Sequence, residues 1–154
     1  MSTLGSKLNS EEIRPQVIQD CVVVLEEEVN KKSGISGFAI RKGFQVVKRI
    51  DNGRVLSKAI DGMLDDFVNA LDPYYQSYHQ NGASQGSDFS GYLASREEEV
   101  ANSLLSVTDV KRQYTSNKVL AKSYDTLRPT ALRNVKESVP AVGRLMQKYA
   151  FSAS

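Results

Sequence analysis

Apolar residues recur every three or four positions through most of this chain, the spacing that gathers them on one face of a helix. The first such run is Val17, Ile18, Cys21, Val22, Leu25 and Val29, with Glu26, Glu27 and Glu28 towards its end. Ser10 or Arg14 stands where a cap belongs, and Pro15 suits an opening turn because the amide it lacks has no helical partner there. Val22-Val-Val-Leu25 is β-branched like a strand, but both flanks keep the helical period and no partner strand is visible. Ser33-Gly34 ends this helix, glycine supplying the left-handed terminal residue.

The stretch Gly34 to Ile50 is apolar around much of its circumference. Ile35, Phe38, Ala39, Val46, Val47 and Ile50 form one face, and Ile40 and Phe44 widen it into a second stripe. Such a helix is expected to be the central one, a hub with neighbours on several sides, capped by Ser36 and rimmed by Arg41, Lys42, Lys48 and Arg49. Gly37 and Gly43 are expected to let other helices approach closely, against a cost of about 1 kcal/mol each relative to Ala.

Asp51-Asn-Gly53 is a turn, and a third helix follows on Leu56, Ile60, Met63, Leu64, Phe67, Val68 and Leu71. Asp72-Pro73 reads as the cap and first residue of a bent continuation through Tyr74, Tyr75, Tyr78 and His79. Residues 80–87, polar and glycine-rich, have nothing to bury and read as a flexible loop. Asp88 or Ser90 then caps a helix on Tyr92, Leu93, Val100, Leu104 and Val107, with break signals at Thr108-Asp109 and Ser116-Asn117. Leu120, Tyr124 and Leu127 make a short helix, Pro129 restarts it, and Pro140 kinks or restarts the chain again before Val142, Leu145, Met146 and Tyr149. The pattern predicts an all-α fold: a single-domain irregular bundle of six or seven helices, several joined at Pro, over residues 10–151, behind a disordered stretch at 1–9.

At 154 residues the chain is long enough to bury one core of its own. The single cysteine excludes an intrachain disulfide, and its apolar setting predicts a small buried hydrophobe rather than a reactive thiol. The N-terminus lacks the apolar segment of a signal peptide, and no run reaches the roughly 20 apolar residues of a membrane span, so a cytoplasmic, non-integral protein is expected.

A formal net charge of +2 conceals a segregated order. Six bases and no acid lie between Val29 and Ile50; three bases face eight acids between Arg54 and Glu99; nine bases face two acids from Val110 onward. Two readings follow. The basic hub helix and the acidic third helix are joined by a three-residue turn and can lie antiparallel with facing rims, each exposed pair contributing about 0 to 1 kcal/mol. Alternatively, Lys111, Arg112, Lys118, Lys122, Arg133 and Lys136 present a patch to nucleic acid or an anionic surface. A membrane surface is the weaker form of that second reading.

Catalytic signals are sparse. The only histidine, His79, lies among Tyr74, Tyr75 and Tyr78, a set suited to a small-ligand pocket or to proton transfer. There is no Gly-x-Ser-x-Gly elbow, and Gly34-Ile-Ser-Gly37 lacks the spacing of a nucleotide loop. Asp61, Asp65 and Asp66 lie a turn apart, but the Glu-x-x-His pair of di-iron bundles is missing. No catalytic residue, metal ligand or cofactor is expected.

The text Ser33-Gly-Ile-Ser-Gly-Phe-Ala-Ile-Arg-Lys-Gly-Phe44, with Leu71-Asp-Pro73 and Leu127-Arg-Pro129, resembles a family of small bacterial proteins carrying a domain of unknown function. The resemblance runs from about Val17 to Ala150. It implies a soluble, helical, bacterial protein and brings no activity or site residues. The expected function is a non-enzymatic intracellular interaction or scaffold module that binds a protein partner or itself. A nucleic-acid binder and a ligand pocket at His79 are the alternatives.

Overall fold

The structure, a computed structural model, describes residues 3–8, 10–82 and 88–151. These residues contain no strand. Seven helices of six or more residues follow the short α1 (Leu4–Leu8): α2 (Arg14–Asn30), α3 (Gly34–Lys48), α4 (Val55–Ser77), α5 (Phe89–Ala94), α6 (Glu97–Tyr114), α7 (Lys118–Leu127) and α8 (Ala131–Ala150). The all-α bundle is as the periodicity predicts.

Its core lies between α4, which packs on α1, α2 and α6, and α8, which packs on α1, α2, α5 and α6. Leu64, Val68, Leu71 and Tyr75 of α4 are no more than 2% exposed, and they meet Phe89 and Leu93 of α5, Val100 of α6 and Val139 and Met146 of α8. α5 and α8 come closest at Gly143, where a Cβ would stand 3.1 Å from the Ser90 Cα. Tyr149 of α8 donates its hydroxyl to Asp20 of α2, which also accepts from Lys148 Nζ at 2.9 Å and Gln16 Nε2 at 3.0 Å. Burial opposes ionisation of Asp20, yet these donors together hold its carboxyl below the ordinary value, while burial and Asp20 push the Tyr149 hydroxyl up.

Several boundaries differ from expectation for identifiable reasons. The stretch 1–9 is not disordered over its described part: Leu4 and Leu8 are fully buried, and the Leu4 amide donates to Asp72 Oδ1 at 2.8 Å. Asp72 therefore caps α1 rather than starting a new helix, and α4 runs through Pro73 without restarting. α8 likewise runs through Pro140, because each proline removes one backbone bond while the apolar face on either side stays buried. Thr108 and Asp109 break nothing; Thr108 Oγ1 bonds back to the Leu105 carbonyl inside α6. The helix expected over Tyr92 to Val107 is instead divided at Ser95-Arg96. Of the loop expected at 80–87, residues 80–82 complete a π-helical turn after α4, and 83–87 lie outside the described residues.

Other signals are met directly. Asp88 caps α5 through Gly91 N at 2.8 Å, and Asn117 caps α7 through Leu120 N at 3.0 Å. Asp51, Asn52 and Gly53 form three successive left-handed residues, whereas Gly34, at φ +75°, opens α3 instead of closing α2, which ends at Asn30 with Lys31 as its cap. α3 begins at Gly34, which places Ser36 inside the helix rather than at its cap.

The largest correction concerns α3. It is not a hub but a peripheral helix, and no residue of it joins the main core cluster. It rests on α2, α7 and the start of α4 through Gly37, Ile40 and Val47, with Phe44 half-buried. At Gly37 the close neighbour is the link from α2 and not another helix: an added Cβ would lie 2.6 Å from the Lys32 carbonyl carbon. Gly43 serves no such approach: its Cβ would only touch Leu127 at 4.0 Å. α7 is also peripheral, with no buried residue.

Candidate interaction surface

With Ile40, Phe44 and Val47 turned inward, α3 presents Ile35, Phe38, Ala39 and Val46 to solvent. Ile35 is 91% exposed, Phe38 55% and Val46 50%, and Ala39, Lys42 and Arg49 are exposed along the same side. This apolar face has no covering element among the described residues. Periodicity revealed it as apolar but could not say that it lies outside, because both stripes of α3 are apolar and only one finds neighbours.

The cations around it divide into paired and free. Lys31 Nζ bonds Glu28 at 2.8 Å, Lys48 lies 3.6 Å from Glu26, Lys32 pairs with Glu137, and Arg41 donates to the Lys32 carbonyl. The expected rim-to-rim pairing with α4 does not form. Asp61 and Asp65 of α4 instead receive Arg14 of α2 at 3.0 and 2.9 Å, and Lys58 and Arg54 turn back onto Asp51. Lys42 and Arg49 have no ionic partner among the described residues; the Lys42 ammonium lies 5.4 Å above the Phe38 ring.

The six C-terminal cations do not share one environment. Arg112 forks onto Asp125 at 2.9 and 2.7 Å, Lys136 lies 3.9 Å from Glu98, and Lys111 reaches over Gly62 of α4. Lys118 and Lys122 are exposed on α7, and Arg133 is exposed beside Glu137 on α8. A neighbouring fork, Arg128 to Asp109 at 2.9 and 3.0 Å, is completed by the Tyr124 hydroxyl. The two forks tie α6 to α7 and to the residue that follows it, so two of the nine bases counted from Val110 onward serve to fasten α7.

Of Tyr74, Tyr75, Tyr78 and His79, three come together: the His79 ring lies against those of Tyr75 and Tyr78. Tyr75 and Tyr78 are buried in an aromatic cluster with Phe89, Tyr92 and Phe151, while His79 lies exposed with its ring 4.5 Å from that of Tyr75. Tyr74 points elsewhere, bonding Ser103 Oγ at 3.0 Å. Burial pushes the Cys21 thiol up to about 11, with Asp20 adding to it, which keeps it a neutral packing group. Among the described residues no group of His, Cys, Asp or Glu is arranged to hold a metal ion, and no helix is long and apolar enough to cross a membrane.

An open groove of about 780 Å³ between α4 and α6, lined by Gly62, Ala70, Ser103, Val107, Val110 and Tyr114, is not foreshadowed by the apolar periodicity. The small residues are the only signal that could have marked it, since they leave the two helices' facing surfaces unfilled.

Fold and surface together define an all-α bundle whose peripheral helix α3 leaves an apolar face uncovered. The chain belongs to a family of unknown function (DUF6918), whose model matches residues 4–150. No curated protein and no solved structure matches it.

Proposed function

We propose that this protein is a non-enzymatic helical interaction module, and that the outward face of α3 is the surface a protein partner covers. The observation that carries this is the exposure of Ile35, Phe38 and Val46 on one side of a helix whose opposite side already holds it to the bundle. Burying each such side chain is worth up to about 1.5–3 kcal/mol, so three of them supply a useful share of a binding energy. A cytoplasmic setting is part of this reading and fits the single free cysteine.

The test is photo-crosslinking in the native host from a benzophenone amino acid at position 38, with position 113 on the exposed side of α6 as control. A defined protein adduct from 38 and none from 113 is the expected result. Equal yields from both positions would remove α3 from consideration.

The alternative, a nucleic-acid or anionic-surface binder through Lys111, Arg112, Lys118, Lys122, Arg133 and Lys136, is weakened by the pairing of Arg112 and Lys136. It predicts a steep fall of affinity with salt. Nucleic acid retained in native mass spectrometry of gently purified protein would move the weight to it.

A further inference from the structure

Resting on α3 as the interaction surface, we infer that its partner is an acidic amphipathic helix, and neither a bilayer nor a second copy of this chain. Ile35, Lys42 and Arg49 are spaced by sevens. At about 100° per residue, Lys42 lies about 20° and Arg49 about 40° round the helix from Ile35, with Val46 about 20° and Ala39 about 40° to the other side. The two free cations therefore occupy the middle of the apolar stripe, not its borders.

That placement separates the three occupants. A helix lying in a bilayer interface keeps its bases on the polar face, away from the inserted stripe; here insertion of Ile35 and Val46 carries Lys42 down with them. In a second copy, pairing α3 antiparallel about its midpoint sets Lys42 against Lys42, and pairing it parallel in register adds Arg49 against Arg49. Shifting the register finds no acid, because none occurs between Val29 and Asp51. A partner helix with a heptad seam can instead place apolar residues over Ile35, Phe38 and Val46 and a Glu or Asp opposite Lys42 and Arg49. With no acid to neutralise first, both cations are available to it.

The probe is a 21-residue helical peptide with a leucine seam and Glu at the positions facing Lys42 and Arg49, paired with a version carrying Lys there. Both are titrated by fluorescence anisotropy against the full chain. The Glu peptide is expected to bind at least tenfold more tightly, and K42E/R49E to invert that order. Both residues are exposed and lack ion pairs, so circular dichroism and melting of the variant should match the parent. Equal affinity for the two peptides, an order unchanged by charge reversal, cosedimentation with phosphatidylserine vesicles that the Glu peptide does not displace, or a dimer abolished by Phe38→Glu each overturns the acidic partner. A crosslink from position 38 without any charge preference removes only the partner class. Silence in both experiments removes the surface as well.

Discussion

α3 and α8 are both amphipathic helices, yet one organises the molecule and the other lies on it. Val139, Leu145, Met146 and Tyr149 of α8 are all at most 9% exposed because α1, α2, α5 and α6 close over them. α3 has elements on one side alone, and half of its apolar surface is left to solvent. The difference is not in hydrophobicity but in how many neighbours the chain can bring to each face. A helix entered through Gly34 and left through three left-handed residues, Asp51 to Gly53, is set against the bundle from outside rather than threaded through it.

The two layers should separate most clearly on truncation. Leu64→Ala, at a side chain 1% exposed, is expected to cost about 2–5 kcal/mol through lost transfer energy and the cavity left behind. Phe38→Ala, at a larger side chain, should change stability by less than about 0.5 kcal/mol. Urea unfolding of the two variants measures both, and comparable losses would mean that the α3 face is covered within the chain.

A second contrast lies within α3. Gly37→Ala drives a methyl group to within 2.6 Å of the Lys32 carbonyl carbon, where backbone must move, and should destabilise by about 1–3 kcal/mol. Gly43→Ala meets only Leu127 at 4.0 Å and gains helix propensity, so it should stabilise by up to about 1 kcal/mol. Opposite signs from two glycines six residues apart would locate the face by which α3 is held. Equal signs would leave that face unassigned and undo the inward placement of Gly37.

The elements were legible in the sequence because helix formation is local: the Asp51-Asn-Gly53 turn and the caps at Asp88 and Asn117 each act within a few residues. What was not legible depended on distant chain. Asp72 looked like a cap for its own helix and instead caps α1, 68 residues away. Pro73 and Pro140 looked like breaks, but tertiary burial on both sides outweighs one lost backbone bond. Whether the bases after Val110 share one patch is open from the sequence, and the answer lies in distant acids: Asp125 takes Arg112 and Glu98 lies near Lys136. The stripe of α3 was visible in full; its exposure was not, since two apolar stripes on one helix cannot be ranked without knowing what packs against them.

The smallest expected effect tests how the outer layer is fastened. α7 has no buried residue and is tied to α6 by the Arg112–Asp125 and Arg128–Asp109 forks. The Arg128 guanidinium and the Tyr124 hydroxyl hold the Asp109 carboxyl below its ordinary 3.8, and Arg112 does the same for Asp125. A carboxyl whose pKa is lower in the folded state stabilises the fold at neutral pH, and that stabilisation is lost as pH falls below 3.8 through the folded value. The groups are exposed, so solvent screening leaves each fork only a small contribution. Hydrogen exchange, corrected for intrinsic rates, should therefore show α7 amides keeping their protection from pH 6 down to about 3.8 and losing it below that, before those of α4. Asp109→Asn should reproduce part of that loss at pH 6, where acid no longer affects the other carboxylates. If α4 and α7 lose protection together, the forks belong to the same cooperative unit as the core and the molecule has one layer, not two.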